Sequence, residues 1–279
     1  MGVVAEIERK LVRLRACEEA DGPPDLRTST MTHVVWAPPR WLEQARRTLA
    51  GLEERHPART ILLRPEPGRR TAIEAEAAVR DFRVDGLSRE VLSEVIELRL
   101  RGEAARHPGS LVLPLLLSDL PAFCRWRGEP PWESTALPER VDVRDRFVVD
   151  SAEWRRVPAA YRSLVGLFDE IAVSDLAFAR AEPWRRALAA LWPGIAGVAR
   201  LRVAGPRADA ELLAGWLASR LGRTIVLTRR HDPEISAVRV DGVPVASAPA
   251  PLSASDLLSA ELDRLGRDRV YEAAAAAVS

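Results

Sequence analysis

Acid–base, nucleophilic and metal chemistry require histidine, cysteine, lysine or paired carboxylates, and this chain is sparing with the first three. Its four histidines are His33, His56, His107 and His231, and none has companions that make a convincing metal half-site. His33 lies inside the apolar run 30–36 and suits a packed core. His56-Pro57 and His107-Pro108 fall where elements end. Cys17 and Cys124, the only cysteines, form no zinc ribbon or redox pair and fit a reducing cytoplasm. Lys10 is the only lysine, so a glycine-rich phosphate loop ending in Lys-Ser/Thr is excluded. GxGxxG after a strand, HExxH, CxxC and GxSxG are also absent. These residues assign no catalytic group, no cofactor and no metal. Gly205-Pro206, between a strand and a helix, is a place where exposed helix N–H groups can hold an anion, but a plain tight turn is the simpler reading.

Charge narrows the partners. Forty-one basic residues meet 40 acidic ones, which leaves no field to hold a nucleic acid or an anionic membrane. Leu111–Leu117, the longest apolar stretch, contains a proline and is far shorter than the ~20 residues of a membrane helix. The alternating charges at Glu6–Lys10 do not form a secretory signal. Tryptophan is abundant, eight against five Phe and two Tyr. Trp and Arg together characterise protein interface hot spots, which singles out Arg125, Trp126, Arg127, Trp132 and Trp154, and after them Trp184 and Arg185, with core packing equally open for Arg125-Trp126-Arg127 and Pro131-Trp132. Trp36, Trp41, Trp184, Trp192 and Trp216 fall on apolar patterns that suit a core.

The elements that must position these residues read as α/β. Val4, Ile7, Leu11 and Leu14 predict a helix over 4–19. Residues 30–36 and 58–63 predict strands joined by a helix carrying Trp41, Ala45, Leu49 and Leu52, a right-handed crossover onto a parallel pair. Alternation over 73–84 and 92–101 predicts an antiparallel hairpin turning at Gly86. Residues 111–117 predict a buried segment, 121–126 a strand, 128–132 an exposed loop and 146–150 another strand. Apolar stripes predict helices around Tyr161–Phe168 and Trp184–Trp192. A second strand–helix–strand unit follows over 197–204, 209–221 and 224–228, then a hairpin at Asp241-Gly242 and a helix capped by Ser253 with Asp256. Ala273–Ala277 predicts a fraying end. The pattern gives two α/β domains, 1–150 and 151–279, of mixed β-sheets flanked by helices.

Several runs then carry a family likeness in collinear order. Leu113-Pro-Leu-Leu-Leu-Ser-Asp-Leu-Pro-Ala-Phe-Cys-Arg-Trp-Arg-Gly128 resembles the Leu-Pro, Asp-x-Pro and Trp-x-Gly segment of the glucose-6-phosphate dehydrogenase assembly proteins, the OpcA family. Glu54–Leu63, Arg146–Ser151 and Asp175–Arg186 are similar to further pieces of that family. The resemblance implies a non-catalytic, cytoplasmic adaptor of the oxidative pentose phosphate pathway, of an actinobacterial or cyanobacterial kind. Its partner would be glucose-6-phosphate dehydrogenase, whose active oligomer it would favour as an allosteric activator. Contacts are expected around Arg125–Trp132, with Trp154 and Trp184-Arg185. Cys17 and Cys124 offer no dithiol for redox control. The alternative from a different class is a small-molecule-binding protein or enzyme with a pocket near Gly205-Pro206 or between the domains.

Overall fold

The computed structural model describes residues 2–20, 29–52, 55–83, 90–132, 145–246 and 252–278. Two compact units divide the chain, Met1–Phe147 and Val148–Ser279.

In the first unit, α1 (Val3–Ala20) buries Ile7 and Leu11 and packs on β3 (Ala72–Arg83). All six residues of β1 (Met31–Trp36) are buried, as a parallel strand covered on both faces requires. A 3-10 turn (Pro39–Trp41) leads into α2 (Leu42–Ala50), which turns Leu42, Ala45 and Leu49 inward at helical spacing. The chain returns as β2 (Ala58–Glu66), parallel to β1 with Met31 opposite Ala58 and Trp36 opposite Leu63. β4 (Glu90–Arg101) is antiparallel to β3 and parallel to β2, and β5 (Ala122–Trp126) is parallel to β1. The order is β3-β4-β2-β1-β5-β6, with β6 (Arg146–Val149) the strand in which the division falls. The sheet is therefore mixed. Gly86, expected at the β3–β4 turn, lies outside the described residues.

The apolar run 111–117 folds as α4 (Gly109–Val112), which follows α3 (Glu103–Arg106), and a 3-10 turn (Leu113–Leu115). Pro114 sits at the start of the 3-10 turn, where its fixed φ fits and its missing N–H costs nothing, and Leu113 is left 44% exposed. The segment 128–132 departs from expectation in the other direction: Gly128 and Pro130 are buried and the rest is half-buried.

Arginine–carboxylate pairs stitch the sheet. Arg59 on β2 reaches Glu94 (2.6 Å), Glu8 of α1 (2.9 Å) and the Leu115 carbonyl (2.9 Å), and Arg15 meets Glu94 at 2.5 Å. Nearer the surface, Glu97 takes Arg46 and Arg64, Glu66 takes Arg99 and Arg101, and Glu74 takes Arg99 and Arg101.

The second unit opens with α5 (Ala159–Val165), β7 (Ala172–Asp175), α6 (Leu176–Arg180) and α7 (Glu182–Ala189). β7 was not expected, because four residues are too few to show a period. A separate four-stranded sheet of this unit has the order β11-β10-β8-β9. β8 (Arg200–Ala204) and β9 (Val226–Arg230) are parallel and joined by α8 (Arg207–Leu221), while β10 (Ala237–Val240) is antiparallel to β8 and to β11 (Val243–Pro244). The β10–β11 turn sets Asp241 at φ 46° and Gly242 at φ 89°, as a two-residue hairpin demands. α9 (Ala254–Leu262) starts at Ser253, whose hydroxyl accepts the Asp256 N–H at 3.1 Å.

The alanine-rich terminus does not fray. In α10 (Arg269–Ala276), Tyr271, Ala274 and Ala275 are almost fully buried, and the helix packs on α8. Small residues permit this approach: a Cβ at Gly215 would stand 2.3 Å from the Ala274 carbonyl oxygen and 3.2 Å from Val278 Cγ2. Gly215→Ala is expected to push α8 from α10 and lower stability by about 1–3 kcal/mol, the range for an overpacked core. Chemical denaturation reads it, and an unchanged midpoint would show that the helices separate freely.

Candidate functional site

Of the interface residues expected from sequence, Arg125, Trp126, Arg127 and Trp132 lie in the first unit and Trp154, Trp184 and Arg185 in the second. In the first unit, Trp36 and Trp126 end neighbouring parallel strands in register and stack at 4.7 Å with planes 14° apart. Phe147 meets Trp126 edge-on at 6.4 Å. Arg127 continues the chain and is held three ways: its N–H donates to the Trp36 carbonyl, its guanidinium lies 4.9 Å from the Trp41 ring, and Nη2 donates to Gln44 Oε1 at 2.6 Å. Arg40 covers Trp41 at 5.5 Å. Gly128, at φ 82°, lets the chain turn there, and a Cβ would come within 3.0 Å of Arg40 Nη2 and Trp41 Nε1.

Of the two readings open for this segment, interface and core, burial favours the core for three of its residues. Arg125, Trp126 and Arg127 are only 3–5% exposed, because β5 is covered on both faces. Trp132 is half-buried, and Arg40 is exposed at the edge of the same cluster. Cation–π contacts and the Arg127–Gln44 hydrogen bond hold the cluster, with Arg40 and Trp41 as its accessible edge. Arg40 and Trp41 were missed as surface candidates, since Trp41 reads as the first apolar residue of a helix.

In the second unit, Trp154 packs on Tyr161 at 5.3 Å and is buried, as is Trp184. Arg185 lies 3.5 Å from the Phe178 ring and donates to the Phe178 carbonyl; burial brings its pKa down to about 10. Trp192, expected in the core, is 65% exposed.

The strongest electrostatic perturbations lie in a buried polar network of this unit. Arg180 donates to Asp150 at 2.6 Å and to Asp209 at 3.0 Å. Asp175 caps α6, accepting from the Ser151 and Ala177 N–H groups at 3.0 Å each and from the Tyr161 hydroxyl at 3.2 Å. One cation therefore serves two carboxylates. Asp150 has the shorter bond, whereas Asp209, with no exposure and Oδ2 unbonded, is pushed up to about 7 by burial despite Arg180. Burial and the nearby Asp150 charge push Asp175 up to about 6. Asp150 and Asp209 in turn hold Arg180 more firmly protonated than an isolated guanidinium, outweighing its own desolvation. Such shifts accompany active sites, but also structural ion networks, and the near-complete burial of Asp175 and Asp209 favours a structural role.

Other candidate groups are equally sealed. Burial and Arg125 bring His33 down to about 3, so it is neutral, and burial drives the Cys124 thiol up to about 12. Among the described residues no cluster of three or more His, Cys, Asp or Glu could hold a metal ion, and no helix is long and apolar enough to cross a membrane. Arg59 lines a cavity of about 260 Å³ in the first unit, but its guanidinium is engaged by Glu8, Glu94 and Leu115. At Gly205-Pro206 the Gly205 N–H donates to the Arg230 carbonyl, and Ile235 fills the space a Cβ would take.

The network gives a signed pH dependence. A carboxyl whose pKa is raised on folding contributes stability below its unfolded pKa, about 4, and loses it as pH rises through the folded value. For Asp209 that window is about pH 4 to 7. Asp209→Asn is therefore expected to gain in melting temperature relative to the parent as pH rises from 4 to 8, in paired thermal melts. A difference constant with pH would show that Asp209 stays ionised throughout.

The family model described as the glucose-6-phosphate dehydrogenase subunit N-terminal domain matches residues 50–165, and that described as its C-terminal domain matches residues 171–250. The junction between them falls later than the division at Phe147, so β6 and α5 go with the first family domain while most of that segment packs in the second unit. No curated protein matches the chain. With both domains matched in order over more than half of its length, the chain belongs to the OpcA family of glucose-6-phosphate dehydrogenase assembly proteins.

Proposed function

We propose that this protein is a non-catalytic assembly factor that binds glucose-6-phosphate dehydrogenase and favours its active oligomer, in the cytoplasm, at the entry to the oxidative pentose phosphate pathway. The observation that carries this reading is the ordered pair of matches to the two domains of a dehydrogenase-associated subunit. The sealed state of His33, Cys124 and Asp175 supports it, because a catalytic group must meet its substrate. Favouring one oligomer requires tighter binding to that arrangement than to its competitors, since equal affinity shifts nothing. We assign the contact in the first unit to Trp132, Arg40 and Trp41, which are exposed or half-buried. Arg125, Trp126 and Arg127 support that edge from within. Arg185 and the segment after Trp184 are the corresponding candidates in the second unit, with Trp154 as packing beneath.

NADP reduction by the dehydrogenase of the same organism, measured with and without this protein alongside co-elution on a sizing column, tests the reading. A shared peak with raised activity is the expected result; no complex and no rate change across concentration and redox state would sink it. Trp132→Ala is expected to weaken the complex about tenfold, roughly 1.4 kcal/mol, with an unchanged melting temperature. Trp126→Ala, which removes half of the Trp36 stack, is expected to cost about 3–5 kcal/mol of stability. The opposite pattern would move the contact off this edge.

A further inference from the structure

We propose that the outer face of the β8–β11 sheet is a docking surface for an extended acidic segment of a partner protein; that this partner is the dehydrogenase rests on the assembly reading above. Register places Arg200 opposite Val226, Arg202 opposite Thr228 and Ala204 opposite Arg230, and across the other side Arg239 opposite Arg202. Residues opposite one another, and every second residue along a strand, share a face. The inner face is apolar and buried, with Leu201, Val203, Val238 and Val240 turned inward and α8 packed against β8 and β9. Arg200, Arg202, Arg230 and Arg239 are thereby gathered on the solvent side, all exposed.

Nothing acidic lies at the other paired positions of this face. Among the described residues Arg200, Arg202 and Arg239 meet no carboxylate within 4.0 Å. Arg230 meets only Asp232, at 3.9 Å, and that carboxylate already accepts from Ser236 at 2.6 Å. Asp241, at the hairpin turn, spends its oxygens on the Ala199 and Arg200 N–H groups. Like charges directly opposite, as at Arg202 and Arg239, are unfavourable in a sheet unless an anion is drawn between them. Contrast the first unit, where Arg64, Arg99 and Arg101 each meet a carboxylate.

Arg202, Arg230 and Arg239 also line a cavity of about 550 Å³, together with Trp184, Val203, Val238 and Pro244. Arg200 and Arg202 are one strand repeat apart, about 6–7 Å, which is also the spacing of alternate side chains in an extended peptide. Alternating carboxylates on such a segment would meet successive guanidinium groups. A nucleic acid is disfavoured because the chain carries a net charge of only +1 and has no wider field to hold a phosphate backbone.

The test uses the full chain, its Arg202→Ser/Arg239→Ser variant and an Arg99→Ser/Arg101→Ser control. Binding is read by anisotropy of labelled deca-glutamate and by co-elution with the dehydrogenase over about 0.05–0.3 M salt. The parent and control are expected to bind both, more weakly as salt rises. The Arg202→Ser/Arg239→Ser variant is expected to lose at least about tenfold in affinity and most of the salt dependence while melting normally. Unchanged binding of both probes by that variant would overturn the docking face while leaving the assembly reading intact. If the parent forms no complex with the dehydrogenase, the assembly reading fails instead, and the docking face then stands or falls on deca-glutamate alone. Tighter binding to an oligonucleotide of equal length or complete competition by millimolar inorganic phosphate would also overturn it.

Discussion

A guanidinium that leaves water must be met by oxygen atoms at hydrogen-bond distance, and much of this fold turns on how that demand is satisfied. Lys10 being the sole lysine, almost every cation here is a planar, five-donor arginine, suited to forked contacts that tie two or three elements at once. Arg59 joins β2 to α1, to β4 and to the Leu115 turn. Arg180 joins the start of the second unit to α8 through Asp150 and Asp209. Such clusters specify a geometry more than they stabilise it, because desolvation cancels much of the attraction. Asp209 records that cost in its raised pKa.

Seen from the surface, the same pairing rule separates scaffold from binding face. Where β2 and β4 carry Arg64, Arg99 and Arg101, Glu66, Glu74 and Glu97 answer them. Where β8 and β10 carry them, Asp241 is turned to the backbone and Asp232 to Ser236. An unanswered guanidinium on a flat strand keeps its side-chain freedom and hydration until a partner arrives. The Trp41–Arg127–Gln44 cluster is the opposite design: its side chains are fixed in advance, so binding at its edge costs less ordering entropy.

Elements with long periods were legible in the sequence. α1, the β1–α2–β2 crossover, the β3–β4 hairpin, α8 and the Ser253 cap all follow from spacing and capping chemistry that local interactions determine. β7 and the turns at 109–115 were not, because four-residue elements and a proline within an apolar run give no period to read. Trp126 stands out in the sequence by its residue type alone, and its burial depends on β5 lying beside β1, a long-range fact. Trp192 fails in reverse, since an apolar stripe cannot say where a helix leaves the core. The carboxylates that converge on Arg180 come from positions 150 and 209, too far apart in sequence to be associated without the fold. The alternation Arg200-Leu-Arg-Val was visible, but only the register with Arg239 turns it into a face.

On the assembly reading, two dissimilar surfaces in two units offer a physical route to selectivity. A single contact patch whose epitope is equally accessible in every oligomer shifts no equilibrium. Two patches borne by one chain discriminate, because only some arrangements of the partner present both epitopes within reach at once, and the second contact then forms at high effective concentration. On that reading aromatic contacts at Trp41 and Trp132 would supply packing that varies little with salt, whereas the arginine face would supply a long-range, screened attraction that hastens encounter. Weakening either should then reduce discrimination between oligomers more than it reduces binding to an isolated subunit, since the coupling between the contacts, more than either contact alone, is what differs between the states.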